Sequence, residues 1–405
     1  MAALTLEECL PSNNDLWVQQ WIGEILKSMP PQGDNYRLHP AVQSFKEAIE
    51  SSAELTTHFT QMFAEQPTNY IAPNFVKDYH HMLQLIDHVL TKAPEYYNNN
   101  QMPAFPIYAI LFRTMGTVSG RAAFLNATVN HHIKNILNVW LKYLQSPESC
   151  YVLTTNGWFS TRAMECMGGN FERDFICDPR KPHYGFTSWD DFFTRQLQPN
   201  IRPVAYPDDN KVIVNPCEAA PFRIESNVTK HDKFCIKGMA YNLKFMLAND
   251  QLADRFVGGT IYQSYLNTCN YHRWHSPVDG KIVKAYVQDG TYYFFPETDD
   301  YTASQDYLTN VQTRALIFIE AANPYIDLMC FMAVGMAEVS SCEITIAEGK
   351  KVQKGQQTGM FHYGGSTFCL IFRPGVELEF DLHDETPGLT ANNILINTRI
   401  ATVPE

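Results

Sequence analysis

At 405 residues, 45% of them hydrophobic and 18% charged, the chain has the balance of a folded protein with one large or two moderate cores, which excludes a disordered or low-complexity chain. The net charge of −12 lacks the basic character that nucleic acid or an anionic membrane surface selects, so neither is expected as a partner. Residues 1–16 carry Glu7, Glu8 and Asp15 and have no basic start followed by an apolar run, so no secretory signal is expected.

The most apolar stretch, Leu328–Met336, is far shorter than the roughly 18 residues a membrane span needs and reads as a buried strand. No transmembrane segment and a cytoplasmic location are therefore the expectation. Ten cysteines from Cys9 to Cys369 form no CxxC pair, and in a long chain without a signal they read as reduced, buried thiols.

The first part of the chain is predicted helical. From Pro40, apolar residues at Val42, Phe45 and Ile49 and then Phe59, Met62 and Phe63 keep helical spacing, with an interruption between the two groups. A second helix carries Phe75, Tyr79, Met82, Ile86 and Val89 and ends by Pro94; a third carries Val129, Ile133, Ile136, Trp140 and Leu144 and stops before Pro147. His80, His81, His131 and His132 lie on these helices as adjacent pairs, whose side chains point about 100° apart; they read as solvated or packed residues and no metal site is expected.

From about residue 210 strand and turn signals take over. Lys281–Gln288 and Thr291–Phe295 around Asp289-Gly290 predict a hairpin, and Arg314–Glu320 and Asp327–Val334 around Asn323-Pro324 predict another. Short strands follow from Cys342 to Phe380, punctuated by Gly349, Gly355, Gly359 and Gly375. The fold class expected is α+β: a helical N-terminal domain over residues 1–180 and a β-rich catalytic domain over 181–405, with the boundary falling in the looser 175–210 stretch.

Two segments carry chemistry. Tyr271-His272-Arg273-Trp274-His275 places two imidazoles three residues apart before a Ser-Pro-Val-Asp-Gly turn. Histidine suits proton transfer near neutral pH, although such a pair is equally at home in a purely structural role. HExxH is absent, which removes the strongest reason for a metal reading. In Gly364-Gly365-Ser366 the two glycines are a strand bend on one reading. On the other they free the backbone so that Ser366 Oγ attacks the Gly365 carbonyl, a step that needs a histidine base and a carboxylate to orient it.

A wider set of landmarks resembles one family. Trp189-Asp190-Asp191-Phe192-Phe193-Thr194-Arg195-Gln196-Leu197 with Arg202-Pro203 resembles the FFxRxL…RP signature of phosphatidylserine decarboxylases. Asn215-Pro216-Cys217-Glu218-Ala219 stands where that family has S-P-x-D-G, and Lys237-Gly238 with Tyr241-Asn242-Leu243 resembles its KGxxYSL segment. His272–Gly280 is similar to its YHRxHxPxDG motif, and Gly364–Thr367 to its GST cleavage motif.

The resemblance implies self-cleavage between Gly365 and Ser366, with Ser366 becoming a covalent pyruvoyl cofactor. The large chain 1–365 and a small chain of 405 − 366 + 1 = 40 residues would stay associated. It further implies His275 as the processing base, His272 as a residue of decarboxylation, and Glu218, in place of the usual Asp, as the carboxylate that holds an imidazole. The helical N-terminal region and the segments 271–275, 318–321 and 335–340 resemble the soluble fungal branch that decarboxylates free L-tryptophan. A small-molecule aromatic amino acid is therefore the expected substrate. A phospholipid decarboxylase and a non-catalytic binding relative are the alternatives.

Overall fold

The computed structural model describes residues 16–29, 36–66, 76–96, 105–228, 243–294, 308–339, 341–363 and 366–404. Its first part is a stack of helices: α1 (Leu16–Ser28), α2 (Pro40–Ser51), α3 (Ala53–Ala64), α4 (Tyr79–Val89), α5 (Pro106–Met115), α6 (Val118–Leu125) and α7 (Ala127–Leu144). The interruption expected after Ile49 is Ser52, extended at φ −114°, which ends α2 and accepts the Leu55 N–H to start α3. Asp78 and Asn126 cap α4 and α7 in the same way. Phe75 of the second expected helix lies outside the described residues.

The apolar faces of these helices form one core with three short ones, α8 (Thr161–Cys166), α9 (Phe171–Asp174) and α10 (Trp189–Phe193). The histidine pairs are packed or solvated as expected: His132 stacks on Phe45 at 5.6 Å and His131 reaches Asn135. Among the described residues no cluster of three metal-ligating side chains forms.

The second part is antiparallel sheet. The strands are β1 (Val212–Val214), β2 (Ala220–Ser226), β3 (Thr260–Leu266), β4 (Arg273–His275), β5 (Gly280–Gln288), β6 (Arg314–Ala321), β7 (Leu328–Gly335), β8 (Ser341–Ile344), β9 (Lys351–Val352), β10 (Gln357–His362), β11 (Ser366–Phe372), β12 (Glu379–Phe380) and β13 (Arg399–Thr402). Seven of them make the main sheet in the order β2-β3-β11-β7-β6-β5-β9; β4-β10-β8 and β1-β13-β12 make two smaller ones.

Every residue of β7 is buried because both faces of the main sheet are covered: Met329, Phe331 and Ala333 enter one core, and Cys330, Met332 and Val334 the other. That explains an apolar run without alternation. No helix among the described residues is long and apolar enough to cross a membrane.

The hairpin expected around Asn323-Pro324 is present as β6–β7. The one expected around Asp289-Gly290 is not. β5 pairs with β6 and β9 instead, and Thr291 makes a single parallel bridge to Gln312. Tyr292, Tyr293 and Phe294 are buried in the helical core, where three aromatic rings lose far more water-exposed surface than on a strand edge. The cysteines also depart from expectation in one place, since Cys166 on α8 and Cys269 after β3 form a disulfide. Cys150, Cys177, Cys217, Cys330, Cys342 and Cys369 are free thiols, and Cys9 and Cys235 lie outside the described residues.

Candidate active site

Strand pairing sets the histidine motif against β10, the strand that leads into the cleavage segment. Ser366 opens β11 in the middle of the main sheet, opposite Leu266 of β3 and Gly335 of β7. Gly364, Gly365 and the Ser366 side chain lie outside the described residues. The chain reaches this point along β10, which pairs with β4, and the Phe361 N–H donates to the His272 carbonyl at 3.0 Å. The histidine motif thus lines the approach to the cleavage segment although about 90 residues separate them in the chain.

His272 is fully buried and stacks on Phe193 of α10 with ring centroids 4.2 Å apart. His275 Nε2 lies 3.1 Å from Tyr271 Oη. Burial pushes the His275 imidazole down to about 4, with the Arg273 charge acting in the same direction, so it is neutral at pH 7 and able to accept a proton. Arg273 is itself held, donating to the Thr194 carbonyl at 2.7 Å and to Gln357 at 3.0 Å.

Glu218 is buried, and its carboxylate accepts Arg202 Nε at 2.6 Å rather than an imidazole N–H. Arg202 also holds Asp174 at 3.0 Å, and Asn270 donates to the Glu218 carbonyl at 3.0 Å. A carboxylate removed from water takes the strongest countercharge within reach, and the signature's own arginine is nearer in the chain than the histidine. Burial raises the Glu218 carboxyl while Arg202 and Arg195 oppose that rise. Arg195 is buried as well, 4.4 Å over the Phe175 ring, and donates to the Cys269 and Asn270 carbonyls at 2.6 and 2.9 Å. A cavity of about 420 Å³ opens onto Glu218, Arg195, Arg202, Asn270 and Tyr271.

One further residue was not singled out by sequence reasoning. His362, four residues before Ser366, is buried with Nδ1 2.9 Å from Asp190 Oδ1 and Nε2 2.9 Å from Glu343. Although burial works against its charge, these two carboxylates raise its pKa, and the ring bridges α10, β8 and β10. The only signal for it was a histidine inside the cleavage segment; Asp190 lies 172 residues away and only folding pairs them.

Two family profiles, both described as phosphatidylserine decarboxylase, match residues 39–167 and 189–393. The chain is 42% identical over 328 residues to the decarboxylase iboD of Amanita muscaria, covering 73% of this chain and 94% of that protein. It is 33% identical over 410 residues to the L-tryptophan decarboxylase of Psilocybe cubensis, covering 93% and 90%. Against the phosphatidylserine decarboxylase proenzyme 3 of Schizosaccharomyces pombe it is 34% identical over 195 residues, covering 48% of this chain and 20% of that protein. With the fold and these matches together, the chain belongs to the phosphatidylserine decarboxylase family and is a carboxy-lyase.

Proposed function

We propose that this enzyme decarboxylates a free aromatic amino acid, L-tryptophan to tryptamine and CO2, after cutting itself between Gly365 and Ser366. The observation that carries the reading is the match with the Psilocybe cubensis L-tryptophan decarboxylase, which spans 93% of this chain and so includes the helical region as well as the catalytic one. The proposed boundary near residue 180 separates those two regions.

In the proposed maturation, Ser366 Oγ loses its proton to a neutral imidazole, His275, and adds to the Gly365 carbonyl, replacing the amide by an ester. Loss of the Ser366 α-proton expels Gly365 as a carboxylate and leaves a dehydroalanine, whose hydrolysis releases ammonia. A pyruvoyl group at residue 366 would sit at the start of a central strand, which the chain reaches along β10, the partner of the histidine strand β4. Such a group supplies a keto carbon for the substrate's amine and an electron-withdrawing amide, which makes pyridoxal phosphate unnecessary. His272 or His275 returns the proton that the product carbon must receive.

Because β11 lies between β3 and β7, the 40-residue small chain would remain held by two full strand ladders. A cytoplasmic location agrees with a free amino acid as substrate.

Purified protein offered a panel of amino acids and phosphatidylserine, with amine products read by mass spectrometry, tests the reading. Tryptamine is the expected product. Phosphatidylethanolamine as the sole product would establish the phospholipid alternative in its place.

A further inference from the structure

Tyr363 is buried at 2% exposure and sits inside a box of aromatic rings. Its ring meets Trp189 edge-on at 4.6 Å and Trp140 edge-on at 5.3 Å, with Phe193 at 5.8 Å and Phe105 stacked at 5.9 Å. The walls are held independently of Tyr363. Trp140 Nε1 donates to the Lys92 carbonyl at 2.7 Å, Trp189 and Phe193 both belong to α10, and Phe193 carries His272 on its face. One wall of the box is therefore in direct contact with the histidine assigned above to decarboxylation.

The position of Tyr363 in the chain is what makes this packing notable. In the uncut chain it is tied on both sides, one residue after the end of β10 and three before the start of β11. After cleavage it is the third residue from a new chain end. The Gly365 carboxylate formed by the cut lies two residues away, and an ionised carboxylate next to a water-poor aromatic box is costly unless it moves to solvent. Short free chain ends are also the first segments to leave a packed surface. The cut thus removes a tether and adds a force pulling Tyr363 outward.

We propose that Phe105, Trp140, Trp189 and Phe193 form the site for the substrate's aromatic ring, and that Tyr363 occupies it as a placeholder until self-cleavage releases it. This rests on the proposed decarboxylation of an aromatic amino acid and names the residues that select for it. Edge-to-face and stacked contacts that now hold a phenol ring suit any planar aromatic ring, and His272 on Phe193 places the box beside the reacting end of the substrate. The uncut chain is consequently closed to substrate, and the same event that creates the reactive group opens the ring site.

The test uses the full-length, uncleavable Ser366→Ala protein with and without Tyr363→Ala, titrated with tryptamine by calorimetry. An apolar cavity left by a removed ring binds a ring of matching shape, so the double variant should bind tryptamine at least ~10-fold more tightly than Ser366→Ala alone. Equal binding by the two proteins overturns the ring site. Because loss of a buried ring can unfold the precursor, a second readout uses the unmutated mature enzyme. Carboxypeptidase should remove Gly365, Gly364 and Tyr363 from its large chain, and a large chain that keeps Tyr363 overturns the release step. Wild-type processing and tryptamine formation are measured alongside. If wild-type protein makes tryptamine while the precursors bind equally, the ring site falls and the reaction stands; if it makes no arylalkylamine, the reaction itself falls.

Discussion

At the scale of single residues, the protonation of His275 sets a pH dependence for processing. His275 titrates near 4 because burial disfavours its charge, so self-cleavage should run at a constant rate from about pH 5 to 8 and slow only as pH drops through 4. The time course of chain splitting on denaturing gels measures this. His275→Ala should slow processing by roughly 100-fold or more, the scale of a lost general base. His272→Ala should process and then decarboxylate poorly, and Ser366→Ala should remain one band. If His275→Ala matures at the wild-type rate, the assignment of the base is wrong.

Glu338 gives a pH dependence of stability. It is buried, Oε1 accepts the Tyr108 N–H at 2.8 Å, and burial pushes its carboxyl from 4.5 up to about 7. The folded state therefore holds a proton that the unfolded state has lost between pH 4.5 and 7, and stability falls as pH rises through that window. Glu338→Gln keeps an oxygen for Tyr108 and carries no charge. It should exceed wild type by up to about 3 kcal/mol at pH 8 and differ little at pH 4.5, as read from urea midpoints.

At the scale of elements, β10 is the hinge of the site, since it pairs with β4 on one side and β8 on the other and delivers the chain to Ser366. Gly359 permits that close pairing: a Cβ there would lie 2.4 Å from the Glu343 carbonyl oxygen and 2.5 Å from the Trp274 ring. Gly359→Ala should cost about 1–3 kcal/mol, and should slow processing because β10 must shift away from the histidine motif. Thermal unfolding and gel time courses on the same preparation check both parts. The helical stretches were legible because apolar spacing and prolines act locally, whereas the caps Ser52, Asp78 and Asn126 emerged only in the folded chain. The Asp289-Gly290 hairpin was misread because a turn signal says nothing about where the following aromatic residues are better buried.

At the scale of the whole molecule, the helical and β-rich parts share a core. Tyr271, Tyr292, Tyr293, Phe294 and Tyr363 are buried with the helices, and Glu338 holds the start of α5. Lys134 on α7 pairs with Asp289 at 2.7 Å, and the Cys166–Cys269 disulfide ties α8 to the turn that leads into the histidine motif. A chain of residues 181–405 alone would expose this aromatic surface and lose the wall formed by Trp140. It should be insoluble or remain uncut when expressed, whereas co-expression with residues 1–180 should recover soluble, split protein. Soluble, processed 181–405 on its own would show that the helices serve substrate binding without supporting the fold.

The sequence by itself determined the family landmarks, the α+β order, the helical stretches around Val42–Phe63, Tyr79–Val89 and Val129–Leu144, and the strands between Arg314 and Phe380. Each of these depends on near neighbours: spacing, a turn or a contiguous motif. Tertiary structure alone decided which charges and rings meet. Glu218 faces Arg202 rather than His275, His362 is gripped by Asp190 and Glu343, and Tyr363 is enclosed by rings from Phe105, Trp140, Trp189 and Phe193. Those partners come from segments as far as 258 residues apart, 363 − 105. A buried carboxylate or ring is satisfied by whatever the packed core brings within a few ångströms, and no local pattern in the chain encodes that choice.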